Sequence, residues 1–151
     1  MNITIQKKKA FTVAGVNEQN INSSLCPSVW GKLYEKYSHD ELASLGSGQS
    51  VGVCHDVENP STINYMAGYI VNDVDKARSM GLEVEKAEYA VVELTGSVPD
   101  CIHNGWKYAM EVFFPEHGYV HSGKSDFEYY YEGDMDSKDY KMELWVPITK
   151  A

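Results

Sequence analysis

The order of the predicted secondary-structure elements repeats along the chain, and this repeat limits the fold more than any other feature. Each half reads as strand, helix, strand, strand, with half-repeats at about residues 1–75 and 80–151. The most similar residues in the two halves are those of segments 65–71 and 141–147. Two βαββ units predict an α+β fold with a pseudo-twofold axis, an antiparallel sheet, helices and a central ligand groove. Residues 1–151 are therefore predicted to form a single domain.

Local signals place the individual elements. The first half is predicted to contain strand 2–16 with an interruption at lysines 7–9, a helix after Ser24 with Pro27 in its first turn, strand 49–56, turn 57–61, strand 62–71 and connector 72–81. The second half is predicted to contain strand 82–94, a helix with Ser97 as its N-cap that Pro115 and Gly118 end, and strands 127–132 and 140–148.

The charge of the chain argues against a partner that is itself acidic. Lys and Arg number 13 against 22 Asp and Glu, so the net charge is −9. Residues 1–79 carry net −1 and residues 80–151 carry net −8. A protein that binds a nucleic-acid backbone needs a basic face, so no direct nucleic-acid partner is expected. The acidic second half fits a cationic partner or a solvated surface.

Neither a membrane span nor a metal site is predicted. No apolar run approaches about 18 residues, and the N-terminus lacks the apolar core of a secretory signal. The three cysteines are odd in number and far apart, which suits a reduced, cytoplasmic protein. The five histidines form no metal motif, and no nucleotide-binding or nucleophile-elbow motif is present. We therefore expect no metal and no cofactor.

The most unusual segment is FEYYYE at residues 127–132, followed by the closing strand. Alternation gives each strand one stripe that contains carboxylates: Glu128, Tyr130 and Glu132 in the first, and Glu143, Trp145 and Pro147 in the second. A hairpin of the two strands would set these stripes side by side and place two carboxylates among aromatic rings. Such carboxylates need a compensating charge, which a lipophilic cation supplies. The alternative is that both glutamates face water and the rings are ordinary strand residues.

These residues resemble a GyrI-like small-molecule-binding domain. The resemblance rests on the duplicated βαββ order, Tyr65 and Tyr69 of one strand, the Phe-Glu-x-Tyr of segment 127–130, and the closing segment ELWVPI. This domain is the effector-binding part of AraC- and MerR-type multidrug regulators of bacteria and also occurs alone. Because the chain begins directly with a strand, the stand-alone form without a DNA-binding domain is expected.

The resemblance implies a groove that binds hydrophobic cations on glutamate and aromatic side chains. Carried over to this sequence, the ligand-binding residues are Glu143, Trp145, Glu128, Tyr65, Tyr69, Trp106 and Tyr130. For Trp30, a place in the core is favoured over a ligand-binding role.

Three functions remain open from the sequence. The first is a stand-alone binder of amphipathic, cationic aromatic molecules. The second is a hydrolase of electrophilic small molecules, with Glu143 or Glu128 as the base and Tyr65 or Tyr69 as an orienting donor. The third is an acidic protein-interaction module of the gyrase-inhibitor type, whose association would weaken with salt.

Overall fold

The computed structural model describes residues 1–55, 62–72 and 81–151, and the predicted turn 57–61 and most of the connector 72–81 lie outside these ranges. The described strands are β1 (Ile3–Lys8), β2 (Phe11–Ile21), β3 (Ser50–His55), β4 (Ile63–Val71), β5 (Gly81–Val84), β6 (Ala87–Thr95), β7 (Tyr119–His121), β8 (Asp126–Tyr130) and β9 (Lys141–Lys150). The described α-helices are α1 (Cys26–Lys36), α2 (His39–Ala43), α3 (Asp100–Tyr108) and α4 (Phe114–His117). The described strand pairings within each part of the chain are antiparallel, and the predicted α+β class is confirmed.

The chain divides into two compact units. The first unit is Lys9–Lys86, and the second is Met1–Lys8 together with Ala87–Ala151. The strand order is β3-β4-β2-β5 in the first unit and β8-β9-β6-β1 in the second, where β7 also pairs with the end of β9. The two units therefore share one strand order, as expected for a duplicated βαββ unit.

The edge strands do not stay with the repeat in which they occur in the sequence. Strand β1 directly precedes β2 in the chain, yet it pairs with β6. Strand β5 directly precedes β6, yet it pairs with β2. Each repeat thus gives its first strand to the other repeat. For this reason the predicted single strands 2–16 and 82–94 are each wrong: the structure breaks both into two strands with different partners.

In the first unit, α1 and α2 cover one face of the sheet. Helix α1 begins with Pro27 in its first turn, and it buries Val29 and Leu33 one turn apart against β2 and β4. Helix α2, which the sequence analysis did not predict, buries Leu42 on the same face. A capping box starts it: the Ser38 hydroxyl accepts from the Glu41 N–H, and the Glu41 carboxylate accepts from the Ser38 N–H.

In the second unit, α3 packs on the corresponding face. A Cβ at Gly105 would stand 2.4 Å from Leu94 Cδ2, so the helix approaches β6 closely there. The helix continues through a π-helical segment, Ala109–Phe113, into α4 and ends at Gly118 in the left-handed conformation. The predicted Ser97 cap is wrong, because Pro99 is the N-cap and no side chain caps the helix. Pro115 does not end the helix, since a proline is tolerated in the first turn of α4.

No helix in the described ranges combines the length and the apolar character needed to cross a bilayer.

Two glycines allow β2 and β4 to approach each other unusually closely. Gly15 lies directly opposite Gly68 in this antiparallel pair. A Cβ at Gly15 would stand 2.1 Å from the Ala67 carbonyl oxygen, and one at Gly68 would stand 2.3 Å from the Ala14 carbonyl oxygen. Both distances are far below van der Waals contact, and the clashing atoms belong to the backbone. Only glycine fits at either position without moving a strand.

We expect Gly68→Ala to lower the free energy of unfolding by about 1–3 kcal/mol, because the added methyl forces the central strands apart. Urea denaturation followed by circular dichroism measures this change. The matched control is Gly31→Ala in α1, where a Cβ meets nothing within 4 Å. Replacing a glycine by alanine in a helix adds about 0.5–1 kcal/mol, so this control should be more stable than the native chain. An unchanged stability in Gly68→Ala would contradict the close approach.

Candidate functional site

The candidate site lies on the sheet face of the second unit that α3 leaves uncovered. Strand pairing sets Glu143 opposite both Tyr129 of β8 and Glu93 of β6, and it sets Trp145 opposite Phe127. Directly opposite residues of an antiparallel pair project on the same face. We call this surface the aromatic face, and its members are Tyr89, Glu93, Phe127, Tyr129, Tyr131, Glu143 and Trp145.

Glu143 is the hydrogen-bonding centre of the aromatic face. The indole Nε1 of Trp145 donates to Glu143 Oε1 at 2.9 Å, and the Tyr131 hydroxyl donates to Oε2. Both donors are neutral. Within residues 1–55, 62–72 and 81–151, no Lys, Arg or His forms an ion pair with this carboxylate. Trp145 and Tyr131 therefore hydrogen-bond the half-buried Glu143 carboxylate but do not neutralise its charge.

Aromatic rings surround Trp145. Phe127 stacks on the indole with ring centroids 5.3 Å apart and planes 16° apart. Tyr89 meets the indole edge to face at 5.5 Å, and Tyr129 lies tilted at 6.5 Å. Trp145 retains 9% exposure, whereas Tyr131 is 41% exposed. The solvent exposure of the rings thus increases from Phe127, which is packed in the interior, to Tyr131 at the rim.

The phenols of this face are held in their neutral form. Desolvation of the hydroxyl, followed by its hydrogen bond to Glu143 and the charge of that carboxylate, raises the pKa of Tyr131. Desolvation and the Glu143 charge also raise the pKa of Tyr129. Burial, with a smaller effect of Asp126, raises the pKa of Tyr89 to about 12. At neutral pH the tyrosines supply hydroxyl donors and ring faces, and Glu143 supplies the charge.

A second carboxylate on the aromatic face was not predicted. Glu93 lies directly across from Glu143 and accepts a hydrogen bond from Asn2 Nδ2 at 3.2 Å. Like charges directly opposite in a sheet are unfavourable. Together the two carboxylates create a negative potential on the aromatic face, and a bound cation would reduce their repulsion. The alternation of Tyr89, Val91 and Glu93 in the sequence places these three residues on one face of β6. With the pairing of β6 and β9 known, this alternation would have predicted that Glu93 lies beside Glu143.

The prediction that Glu128 shares a surface with Glu143 is wrong. Glu128 is opposite Leu144, which is fully buried on the side that α3 covers. Its Oε1 accepts from the Tyr130 hydroxyl at 2.7 Å. Burial raises the pKa of the Cys101 thiol in α3, and the charge of Glu128 makes a small further contribution. The pairing register, with Phe127 opposite Trp145, brings the Phe127–Tyr129–Tyr131 stripe to Glu143 instead of the Glu128–Tyr130 stripe.

Trp106 lies in the helical layer of the second unit. It is half-buried on α3, and its indole stacks on the His121 ring with centroids 6.3 Å apart. His121 Nε2 in turn lies 3.2 Å from Asp126 Oδ2. Trp106 therefore belongs to the side of the sheet that holds α3, and the aromatic face is on the other side.

Tyr65 and Tyr69 belong to the core of the first unit. They are 1% and 2% exposed beneath α1 and α2. The indole of Trp30 donates to the Tyr65 hydroxyl at 2.9 Å. The Tyr69 hydroxyl lies 2.7 Å from the Tyr34 hydroxyl and 2.6 Å from His39 Nδ1, and burial raises the pKa of Tyr69.

A separate cavity of about 290 Å³ lies where the C-terminal end of the long helical segment meets β7, and Met110, Phe114, Val120 and Ala151 are among the residues that line it. None of the predicted site residues lines this cavity.

Comparisons with known proteins agree with this fold. The chain is similar to the structure of SAV2435 bound to tetraphenylphosphonium, with 21% identity, 99% of this chain and 94% of that chain covered, and a TM-score of 0.81. A protein from Staphylococcus aureus MU50 matches with 20% identity, 99% of both chains covered and a TM-score of 0.79. The C-terminal domain of EcmrR matches with 18% identity, 99% and 98% coverage and a TM-score of 0.71.

At such identities the structural likeness establishes the fold. No curated protein gives a significant match to the chain. The model of one family, described as the GyrI-like small molecule binding domain, matches residues 1–149, which is nearly the whole chain. The resemblance in the sequence is thereby confirmed, and the chain belongs to the GyrI-like small-molecule-binding domain family.

Proposed function

We propose that this chain binds amphipathic aromatic cations and that the aromatic face of the second unit supplies the contacts. Glu143 provides the countercharge, and Trp145, Tyr129 and Tyr131 provide the rings. The observation that carries the proposal is the Glu143 carboxylate, which is half-buried among these rings and which, in the described part of the chain, accepts hydrogen bonds from neutral groups only.

Electrostatics favour a cation at this position. A carboxylate that has lost part of its hydration gains from an opposite charge nearby, and two neutral donors leave its net charge in place. Glu93, directly opposite, adds to the negative potential. A neutral ligand would gain none of this energy.

The rings favour a ligand that is itself aromatic and weakly hydrated. Tyrosine and tryptophan faces attract cations by about 0.5–2 kcal/mol each and also offer apolar contact area. The half-exposed Tyr131 stands at the rim and the half-buried Tyr129 next to it, with centroids 6.0 Å apart and planes 89° apart. A ligand with several phenyl groups would contact both rings at once. The tetraphenylphosphonium bound to SAV2435 is such a molecule, and it supports this choice of ligand class.

The hydrolase alternative uses the same carboxylate. The hydrogen bond between Tyr131 and Glu143 places a phenol beside a candidate base, which is the pairing needed to orient and activate water. The sequence analysis assigned the orienting role to Tyr65 or Tyr69, whereas this contact would assign it to Tyr131. Turnover of an electrophile that disappears in both Glu143→Gln and Tyr131→Phe would favour this alternative.

We expect Glu143→Gln to weaken binding of methyltriphenylphosphonium at least about tenfold, because the variant removes the countercharge and keeps the shape. Isothermal titration calorimetry measures Kd. Triphenylphosphine oxide, which carries the same three phenyl groups without the charge, should bind the native chain and the variant equally.

The matched protein control is Glu88→Gln, which makes the same change in net charge at a half-buried position outside the aromatic face. It should leave both affinities unchanged. Equal losses for the cation and the neutral compound in Glu143→Gln would refute the countercharge role. A strong dependence of the cation's Kd on salt in Glu143→Gln alone would instead point to surface attraction.

The Glu143→Gln variant should also lower the pKa of Tyr131. The carboxylate opposes a second negative charge, and the phenol loses its hydrogen bond to Glu143 when it ionises, so both effects hold the proton on Tyr131. Titration of the Tyr131 ¹³Cζ resonance, assigned with Tyr131→Phe, measures the pKa. Glu93→Gln should lower it by less, since Glu93 is the smallest contributor. An unchanged pKa in Glu143→Gln would mean that the hydrogen bond does not persist in solution.

A further inference from the structure

Tyr131 carries the most exposed ring of the aromatic face, and it lies beyond the end of β8. The last residues that pair in this ladder are Tyr130 and Met142. The hydroxyl of Tyr131 reaches Glu143, but its main chain belongs to the loop of residues 131–140 that joins β8 to β9. The sheet ladder alone therefore does not set the position of this ring.

A buried tyrosine at the other end of this loop contacts the main chain of Tyr131. The Tyr140 hydroxyl donates to the Tyr131 carbonyl oxygen at 2.6 Å. Tyr140 is 4% exposed, and its own carbonyl oxygen accepts from the Gly96 N–H at 2.8 Å, directly after β6. The hydrogen bond thus joins the two ends of the loop, and its donor is a side chain that the core holds in place.

The loop also packs closely on the Tyr140 ring. Gly133 has a φ of 137°, and a Cβ there would stand 3.4 Å from Tyr140 Cδ1. The Met135 carbonyl oxygen accepts from the Val98 N–H at 2.8 Å, just ahead of α3. Burial raises the pKa of Tyr140, so its hydroxyl keeps its proton and remains a donor at neutral pH.

We propose that Tyr140 is a positioning residue for the cation site: its hydroxyl holds the Tyr131 main chain so that the Tyr131 ring stands at the rim with its own hydroxyl on Glu143. This inference rests on the proposed function and adds a residue that sets affinity through Tyr131. A ring that is already ordered loses less conformational entropy when a ligand binds than a mobile ring does. Tyr140 therefore strengthens binding by ordering Tyr131 in advance.

The first test is Tyr140→Phe, which removes the hydroxyl and keeps the buried ring. We expect it to weaken binding of methyltriphenylphosphonium about three- to fivefold in calorimetry, because Tyr131 then has to be ordered when the ligand binds. Triphenylphosphine oxide should lose a similar factor, since Tyr131 offers its ring to both ligands. This pattern differs from that of Glu143→Gln, which affects the cation alone.

The second readout is the pKa of Tyr131, which a purely structural role of Tyr140 would not change. Desolvation and the hydrogen bond to Glu143 raise this pKa. A Tyr131 side chain that leaves Glu143 for part of the time is held less strongly in its neutral form. Tyr140→Phe should therefore lower the pKa of Tyr131 in the ¹³Cζ titration.

The matched control is Ser137→Ala, which removes a hydroxyl from the same loop. The Ser137 hydroxyl oxygen accepts from the Asp139 N–H at 3.1 Å, so the variant loses a hydrogen bond of the loop and keeps the one between Tyr140 and Tyr131. It should leave both Kd and the pKa of Tyr131 unchanged.

A double-mutant cycle tests whether Tyr140 acts through Tyr131. Tyr131→Ala removes the side chain but keeps the carbonyl that accepts from Tyr140, so Tyr140→Phe should change Kd no further in that background. The same fold-loss in both backgrounds would overturn the positioning role. Thermal unfolding without ligand checks that each variant is folded. If Tyr140→Phe is unfolded, Gly133→Ala takes its place, because the strained φ and the added methyl displace the loop from the Tyr140 ring.

The outcomes separate this inference from the proposed function. If the native chain binds the cation and Tyr140→Phe changes neither Kd nor the pKa of Tyr131, the positioning role is overturned and the proposed function stands. If Ser137→Ala weakens binding as much as Tyr140→Phe, general loosening of the loop replaces the positioning role. If the native chain binds neither methyltriphenylphosphonium nor tetraphenylphosphonium, the proposed function is overturned and this inference with it.

Discussion

The register between β8 and β9 decides which side chains meet in the second unit. Because Phe127 lies opposite Trp145, the phenyl ring stacks on the indole and Tyr129 falls beside Glu143. A slip of one residue would exchange the two faces of β8 and bring Glu128 to Glu143 instead. The hydrogen bond from Tyr131 to Glu143 and the packing of Phe127 on Trp145 both depend on this register.

Local patterns predicted most elements but few of their partners. Alternation placed Glu143 with Trp145 and Phe127 with Tyr129, and the helix around Leu33 appeared where expected. Pairing is a non-local property, so the sequence did not reveal that β8 presents its tyrosine stripe to Glu143. The lysines at 7–9 marked the boundary between β1 and β2, but the change of pairing partner there had no local signal.

A shift of one residue between the repeats explains why the predicted tyrosines lie in a core. In β4 the residues that face the helices are Tyr65, Ala67 and Tyr69, whereas in β9 the positions on the helix side are 142, 144 and 146. The alignment of segment 65–71 with segment 141–147 pairs Tyr65 with Lys141, so it matched a core position to an exposed one. Since side chains alternate with period two, this shift moved Tyr65 and Tyr69 from the face of Trp145 to the face of Leu33.

The exchange of edge strands has a consequence for the origin of the fold. Strand β1 completes a sheet whose other members come from residues 87–150, and β5 completes the sheet of β2. A single cleavage just before β5 (Gly81–Val84) would leave each fragment dependent on the other for one edge strand. Two separate copies of one such repeat would form the same pairings reciprocally, as a domain-swapped homodimer. The linker between the repeats thus fixes, within one polypeptide, an arrangement that an ancestral half-length chain would reach by self-association.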